Sequence, residues 1–213
     1  TYTALHRPVD AIIALQSALA IKSDNPDVYQ YLGRALIMSK KMPEGIQAIR
    51  SAIQIDPENP THHYLLGLAL DTQQKSEEAA REYRRVLELN PKDAIAHFKL
   101  ANCAFRNENL EEAEIHYRLA AQIDPALEYV HLNLSSVLSR KGKIDEAILA
   151  VEEEIRHNPR LSESYDRLIY FYCQKSDFSR ARESADRAKQ LGLPLSEESK
   201  TFLQKIQQDE NTR

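Results

Sequence analysis

A proline that follows an aspartate or an asparagine recurs along this chain at a fixed interval. The four dipeptides Asp56-Pro57, Asn90-Pro91, Asp124-Pro125 and Asn158-Pro159 are equally spaced, which gives a 34-residue period. Each proline ends an apolar helical pattern, because proline has no amide hydrogen and its ring collides with the preceding helical turn. Self-similarity at a fixed period of this length is typical of arrays of one supersecondary unit. The repeat therefore determines the architecture before any single residue does.

The pattern inside the repeat predicts two packed helices. If the first unit begins at Pro26, full repeats span 26–59, 60–93, 94–127, 128–161 and 162–195. Position 7 is leucine in every repeat, position 8 is small in four of the five, and position 20 is always glycine or alanine. Positions 4, 7, 8 and 11 share one stripe of a first helix, and positions 20, 24 and 27 share one stripe of a second helix. Small residues at positions 8 and 20 are expected to let the two helices approach closely.

This pattern resembles the tetratricopeptide repeat, a helix-turn-helix unit of the same period with Leu and Gly in its first helix and Ala and Pro in its second. Position 4, where that family often has tryptophan, is here tyrosine or histidine. The resemblance implies an all-α fold, an α-α superhelix that is a right-handed solenoid of antiparallel helix pairs. It predicts one domain over residues 1–213.

Both ends of the array depart from the full repeat. Residues 8–25 match only a second helix, so we expect the natural protein to extend further in the N-terminal direction. Residues 196–208 are predicted to form a capping helix that begins at Ser196, because serine caps helix N-termini and terminal repeats need a solvating face.

Composition restricts the partners and the location. The net charge of −4 and the pI of about 6.0 argue against nucleic-acid binding, which usually needs a basic surface. No apolar run is long enough to span a membrane. The chain shows no signal peptide, so a cytoplasmic location is favoured, with a removed leader as the open alternative. Cys103 and Cys173 are two repeats apart, which is too far for a disulfide, and are predicted to be small apolar fillers.

The resemblance implies that a ligand binds the concave face, which positions 2, 5, 6, 9, 12 and 13 of the first helices line. In the third and fourth repeats these positions carry cations and aromatic rings but no acid. Aromatic rings can accept apolar side chains, amides can pair with a peptide backbone, and arginine can grip carboxylates. The predicted peptide-binding site comprises Tyr64, Phe98, Lys99, Asn102, Phe105, Arg106, Tyr129, Asn133, Arg140, Arg167 and Tyr170.

Some family members bind acidic chaperone tails through a two-carboxylate clamp, and this chain matches that clamp only in part. Asn102, Asn133 and Arg167 occupy three of its five positions. Phe98 and Glu163 stand where the clamp requires lysines, and Glu163 would repel a carboxylate. A complete clamp is therefore not predicted.

No set of residues in the sequence predicts catalysis or a cofactor. His63, His97 and His131 recur at position 4, but successive helices place them roughly 10 Å apart, too far for one metal ion. They are predicted to pack between helices. The sequence contains no glycine-rich phosphate loop and no nucleophile–base pair.

Two hypotheses for function follow. The first is a non-catalytic scaffold or adaptor that binds an extended peptide or a partner segment, with acidic groups, in its concave groove. The alternative is the recognition arm of a larger enzyme, such as an O-GlcNAc-type glycosyltransferase, whose catalytic domain is absent from this chain. Self-association through the repeat ends is a further expectation, because a half-repeat leaves one helix face without its partner.

Overall fold

The protein is built from α-helices that follow one another through short turns. The computed structural model describes residues 8–21 and 24–211, which form twelve helices and no strand. In chain order they are α1 (Pro8–Ile21), α2 (Pro26–Met38), α3 (Met42–Ile55), α4 (Pro60–Thr72), α5 (Ser76–Leu89), α6 (Ala94–Arg106), α7 (Leu110–Ile123), α8 (Val130–Arg140), α9 (Ile144–His157), α10 (Ser162–Gln174), α11 (Phe178–Gln190) and α12 (Glu197–Asn211). This confirms the predicted all-α class of consecutive helix pairs. Residues 22 and 23 of the predicted partial repeat lie outside the described residues.

The helices follow the period of the sequence with one exception. The second helices α3, α5, α7, α9 and α11 begin at equal intervals, at Met42, Ser76, Leu110, Ile144 and Phe178. The first helices α2, α4, α6 and α10 begin at residues 26, 60, 94 and 162, in the same register. Only α8 begins late, at Val130.

The chain divides into two compact units, unit 1 (Thr1–Asn109) and unit 2 (Leu110–Arg213). In unit 1, α1 packs on α2, the pairs α2–α3 and α4–α5 pack side by side, and α6 packs on α5. In unit 2, α7 packs on α8, the pairs α8–α9 and α10–α11 follow, and α12 covers α10 and α11. Each unit thus buries the apolar stripes of its own helices.

The residues at the predicted packing positions are buried in both units. The position 7 leucines are at most 7% exposed, and the residues at positions 8 and 20 are buried throughout. They are Leu32, Leu66, Leu100, Leu134 and Leu168, then Gly33, Gly67, Ala101, Ser135 and Ile169, then Gly45, Ala79, Ala113, Ala147 and Ala181. A fully buried leucine contributes roughly 1.5–3 kcal/mol, so these stripes account for much of the packing energy.

Close approach of the two helices requires glycine in the first two repeats. A methyl group added at Gly67 would lie 2.7 Å from the ring of Tyr83, which is fully buried. A methyl group added at Gly33 would lie 2.6 Å from the Ile49 side chain and 2.9 Å from the carbonyl oxygen of Gly45. Residue 33 faces residue 49 and residue 45 faces residue 37, so α2 and α3 are antiparallel.

The turn inside each repeat contains a left-handed residue at position 15. Lys40, Gln74, Glu108, Gly142 and Ser176 have φ between 57° and 75°. This conformation lets the chain reverse while its amides bond back to the last turn of the first helix, as Lys41 N does to Leu36 O at 2.9 Å. Only the fourth repeat has the glycine that this conformation favours, so the sequence alone does not reveal the position.

Ser196 caps the N-terminus of the C-terminal helix α12 (Glu197–Asn211). The Ser196 hydroxyl oxygen accepts a hydrogen bond from the Ser199 amide at 3.2 Å. The Ser196 amide and hydroxyl donate to Asp166, which ties the start of α12 to α10. Ile206 is buried, and Phe202 and Leu203 are half-buried. The apolar face predicted for this helix therefore covers the last pair.

Candidate functional site

The predicted binding residues divide between the two units. Six of them belong to unit 1 and five to unit 2, and none of the eleven is fully buried. Ten lie on first helices, and the exception is Tyr129, which precedes α8. Their side chains are therefore accessible, and each unit presents its own part of the predicted surface.

In unit 1 the predicted aromatic residues form ring contacts with their neighbours. Lys99 Nζ lies 5.9 Å from the ring centroid of Phe98, within the range of a cation–π contact. The Tyr64 ring lies 6.0 Å from the Tyr83 ring at an angle of 55°. Burial, and next the charge of Asp93, raise the pKa of Tyr64, so its hydroxyl stays protonated at neutral pH. Phe98, Lys99 and Tyr64 are half-buried and combine apolar surface with a cation.

Large apolar side chains are exposed on the same first-helix positions of unit 1. Tyr31, Met38 and Ile95 are 44%, 46% and 46% exposed. They occupy positions 6, 13 and 2 of their repeats, which are positions assigned to the predicted groove. Tyr31 and Met38 are two turns apart on one face of α2, and exposed apolar surface of this kind is typical of an interaction site.

Arg106 is bound within unit 1. Its guanidinium forms an ion pair with Asp71, Nε donates to the Ser76 hydroxyl at 3.0 Å, and Nη2 lies 3.4 Å from Cys103 Sγ. Asp71 belongs to the second repeat, so the lack of acids at the groove positions of the third and fourth repeats does not leave this cation unpaired. Arg106 therefore joins α6 to the end of α4 and the start of α5, and the local excess of positive charge is smaller than the sequence suggests.

Burial raises the pKa of two groups close to Arg106, the Cys103 thiol and the Tyr83 hydroxyl. Desolvation, with the nearby Asp71 carboxylate as a second cause, raises the pKa of the Cys103 thiol to about 11. Desolvation also raises the pKa of Tyr83, whose hydroxyl is buried without a hydrogen-bond partner. Cys103 is thus a protonated, buried thiol, consistent with its predicted role as an apolar filler.

In unit 2 two of the predicted binding residues form hydrogen bonds with neighbouring side chains. Arg167 Nη1 donates to the Ser136 hydroxyl at 2.9 Å, and burial lowers the pKa of Arg167. The Gln174 amide donates to the Tyr170 hydroxyl at 2.7 Å, while 37% of Tyr170 is exposed. Arg140 is exposed and Asn133 is half-buried on α8.

Tyr129 occupies a strained position that the repeat pattern did not predict. Its φ of 67° places it in the left-handed region, which is uncommon for an aromatic residue. The pKa of its hydroxyl is raised, chiefly by the nearby Glu163 carboxylate. Tyr129 therefore precedes α8 instead of lying on the helix face.

Glu154, which is absent from the predicted site, explains the late start of α8. This carboxylate is 0% exposed at position 27, where three of the other four repeats have alanine. It accepts hydrogen bonds from the amides of Tyr129 (3.1 Å), His131 (3.0 Å) and Leu132 (3.1 Å). The Asn158 side chain donates to it at 2.6 Å. Glu154 thus caps α8 from another helix.

The sequence could have predicted this cap, because the residue that caps the other first helices is missing before α8. Asn25, Asn59 and Asp93 precede α2, α4 and α6 and accept hydrogen bonds from their first amides. The equivalent residue before α8 is Leu127, which has no side-chain acceptor. The loss of this capping side chain, together with an acid at a buried position, predicts that the acid takes over the capping role.

The position 4 side chains pack between helices as predicted and also bond to the backbone. His63 Nε2 lies 3.0 Å from Pro57 O, His97 Nε2 lies 3.2 Å from Pro91 O, and the Tyr165 hydroxyl donates to Pro159 O at 3.0 Å. Each side chain thus contacts the proline that ends the preceding repeat. His131 is half-buried, and burial lowers its pKa.

The described ranges contain neither a metal site nor a membrane-spanning helix. No group of three His, Cys, Asp or Glu side chains there could hold a metal ion. No helix within residues 8–21 or 24–211 is both long and apolar enough to cross a membrane.

Comparison with solved structures identifies similar folds. PilF of Pseudomonas aeruginosa superposes with a TM-score of 0.75 at 16% identity, covering 98% of this chain and 92% of that chain. YrrB, described as a TPR protein with an unusual peptide-binding site, gives 0.73 at 14% identity, covering 92% and 98%. MamA gives 0.71 at 19% identity, covering 75% and 93%. At these identities the likeness shows the fold alone.

Comparison of sequences identifies the family. A search of curated protein sequences finds no significant match. Two family models, both described as tetratricopeptide repeat, match residues 2–69 and 64–128, so together they cover more than half of the chain. The fold and the register of its helices agree with these matches. The chain therefore belongs to the tetratricopeptide repeat family.

Proposed function

We propose that the protein is a non-catalytic interaction scaffold that binds an extended peptide on the exposed faces of its first helices. The observation that carries the proposal is the exposure of Tyr31, Met38 and Ile95 on these faces in unit 1. The apolar stripes of the same helices are already buried against the second helices, so this exposed surface is not needed for packing. The family membership and the solved peptide-binding relative support the same function.

The chemistry of the face favours a peptide that combines apolar and acidic side chains. Phe98 offers an aromatic surface, and Lys99 next to it carries a positive charge. Arg140 adds an exposed cation in unit 2. Because Arg106 is already bound to Asp71, Lys99 is the cation of unit 1 that we expect to contact the acidic group. The alternative, the recognition arm of a larger enzyme, would use the same faces and stays a prediction.

Peptides selected from a random-peptide display library provide the test. Their affinities are measured by fluorescence polarisation for the wild type, Phe98→Ala and Lys99→Glu. Loss of a buried aromatic contact or reversal of a charge is expected to weaken binding by about tenfold or more, which corresponds to about 1.4 kcal/mol. Gln47→Ala, at an exposed position of α3, is the matched control and is expected to bind as the wild type does.

Circular dichroism first establishes that all four proteins are equally folded. Equal affinities for the four proteins would contradict the proposal, because binding would then lie away from the first-helix faces. Failure of the library to yield any binder would also count against a general peptide scaffold.

Self-association through α1 is a second part of the proposal. Val9, Ile13 and Ile21 are 63%, 60% and 90% exposed on this helix, which within unit 1 packs on α2. A helix that is apolar all round is normally buried. Sedimentation velocity should therefore show a concentration-dependent dimer that Ile13→Lys abolishes. A wild type that stays monomeric at high concentration would refute this part alone.

A further inference from the structure

A groove lined by three arginines lies on the side of α10 opposite to its predicted binding residues. The floor is formed by Tyr165, Leu168 and Tyr172, which share the packing stripe of α10. Arg167 and Tyr170 belong to the other stripe. The groove encloses about 570 Å³, and α9 and α11 form its walls. Its volume lies within the range of ordinary ligand sites.

The walls of the groove present guanidinium groups at regular helical spacing. Arg180 and Arg187 are separated by seven positions on α11, so they occupy the same face two turns apart, about 10 Å along the helix. Arg156 lies across from them on α9. The acids of the groove are Glu152 and Glu183, so arginines outnumber them.

The contacts inside the groove show which charges remain available. The Tyr172 hydroxyl donates to Glu152 at 3.0 Å, which directs this carboxylate toward the floor. The Arg180 guanidinium carbon lies 5.7 Å from the centroid of the Tyr172 ring, so it lies over an aromatic surface. Arg187 forms no ion pair within 4.0 Å among the described residues, although its charge acts on the Tyr165 hydroxyl.

The other two arginines have exposed partners that a ligand can replace. Arg180 Nε lies 3.6 Å from the Asp177 carboxylate, and Arg156 Nη1 lies 2.7 Å from that of Glu153. The two arginine side chains are 64% and 68% exposed. Exposed pairs of this kind contribute little free energy, so exchange for a ligand carboxylate costs little.

We propose that this groove binds an acidic peptide segment, whose carboxylates contact Arg156, Arg180 and Arg187. Two turns of α11 match about three residues of extended chain. Arginine binds carboxylates with two parallel hydrogen bonds. Charge complementarity selects acidic residues over neutral ones. The surface is separate from the first-helix faces, so the protein would hold two ligands at once.

Fluorescence polarisation with labelled hexaglutamate tests the groove on the intact chain. The wild type should bind hexaglutamate, with affinity that falls as salt is added, and should bind hexaglutamine at least about tenfold more weakly. Arg187→Glu should weaken hexaglutamate binding by about tenfold or more. Lys189→Glu is the matched control, since it makes the same charge change on α11 outside the groove and should alter the affinity less than about twofold.

Three outcomes would overturn the proposal. The first is no hexaglutamate binding by the wild type. The second is equal loss in Arg187→Glu and Lys189→Glu, which would indicate general electrostatic attraction. The third is unchanged binding in Arg187→Gln, a milder variant that keeps the test valid if Arg187→Glu does not fold. A phosphoserine peptide measured in parallel shows whether phosphate is preferred to carboxylate.

Discussion

Replacing Glu154 by alanine, the residue most common at position 27 of this chain, should destabilise the protein. The repeat pattern alone suggests the opposite, because alanine favours helix and fits the close packing between helices. The structure shows that the Glu154 carboxylate is fully buried and accepts four hydrogen bonds. Glu154→Ala would leave the first amides of α8 buried without an acceptor.

The size of the effect follows from those four contacts. A hydrogen bond to a charged group contributes about 1.5–3 kcal/mol, and a buried donor left unpaired costs about 1–3 kcal/mol. Removal of the carboxylate also removes the cost of burying its charge, so the contributions do not simply add. We expect a net loss of about 3–5 kcal/mol, a large part of the stability of an ordinary domain.

Two measurements report this loss. The chain has no tryptophan, so urea unfolding is followed by far-ultraviolet circular dichroism. Because stacked repeats can unfold in parts, amide hydrogen exchange supplies the local reading. The amides of His131 and Leu132 should lose protection in Glu154→Ala.

A neighbouring residue supplies the control. Glu153→Ala removes only an exposed pair with Arg156, so it should change stability by less than about 1 kcal/mol. Leu127→Asn, which restores the missing cap before α8, should recover part of the stability in the double variant with Glu154→Ala. If the urea midpoint of Glu154→Ala is unchanged and the amides of His131 and Leu132 stay protected, the capping role of Glu154 is refuted.

Two further predictions concern buried hydroxyls and acid stability. Tyr83→Phe should raise the unfolding free energy by about 1 kcal/mol, since the Tyr83 hydroxyl is buried without a hydrogen-bond partner. Tyr165→Phe should lower the unfolding free energy by about 1 kcal/mol, because it loses the hydrogen bond to Pro159 O. Urea unfolding that ranks the two variants in the opposite order would contradict this reasoning. Glu114 is bonded to Lys141 Nζ at 2.8 Å, and this contact, followed by those of other nearby cations, lowers the pKa of its carboxyl from 4.5 to about 2. A depressed acid pKa stabilises the folded state above pH 4.5 and loses that contribution as the pH falls to about 2. The wild type should therefore exceed Glu114→Gln in unfolding free energy at pH 7 and approach it near pH 2, and a difference that does not depend on pH would exclude the mechanism.

The sequence predicts the helix pairs well because they depend on periodic burial. Leucine at position 7 and small residues at positions 8 and 20 recur along the array, and a feature that repeats in every unit is difficult to misread. Pro57 and its equivalents mark the helix ends for the same reason. Among the helices of the five full repeats, α8 is the one that does not start in this register.

The sequence fails where one residue depends on another that is distant in the chain. Glu154 caps a helix that begins at Val130, well before it in the chain, and Arg106 is paired with Asp71 from the preceding repeat. Neither contact can be predicted from neighbouring residues in the sequence, because each joins residues at different positions of the repeat. The arginine groove was missed likewise, since its walls come from two second helices that the binding-face argument did not consider.

Chemical-shift mapping with a library-selected peptide tests most directly whether the first-helix faces bind peptides. The backbone amides of the labelled protein are assigned, and the peptide is added in steps. We expect the largest chemical-shift changes at Tyr64, Phe98 and Lys99 and at their neighbours on the exposed first-helix faces. Shifts concentrated instead on the exposed faces of α3 and α5, with these three amides unchanged, would contradict it.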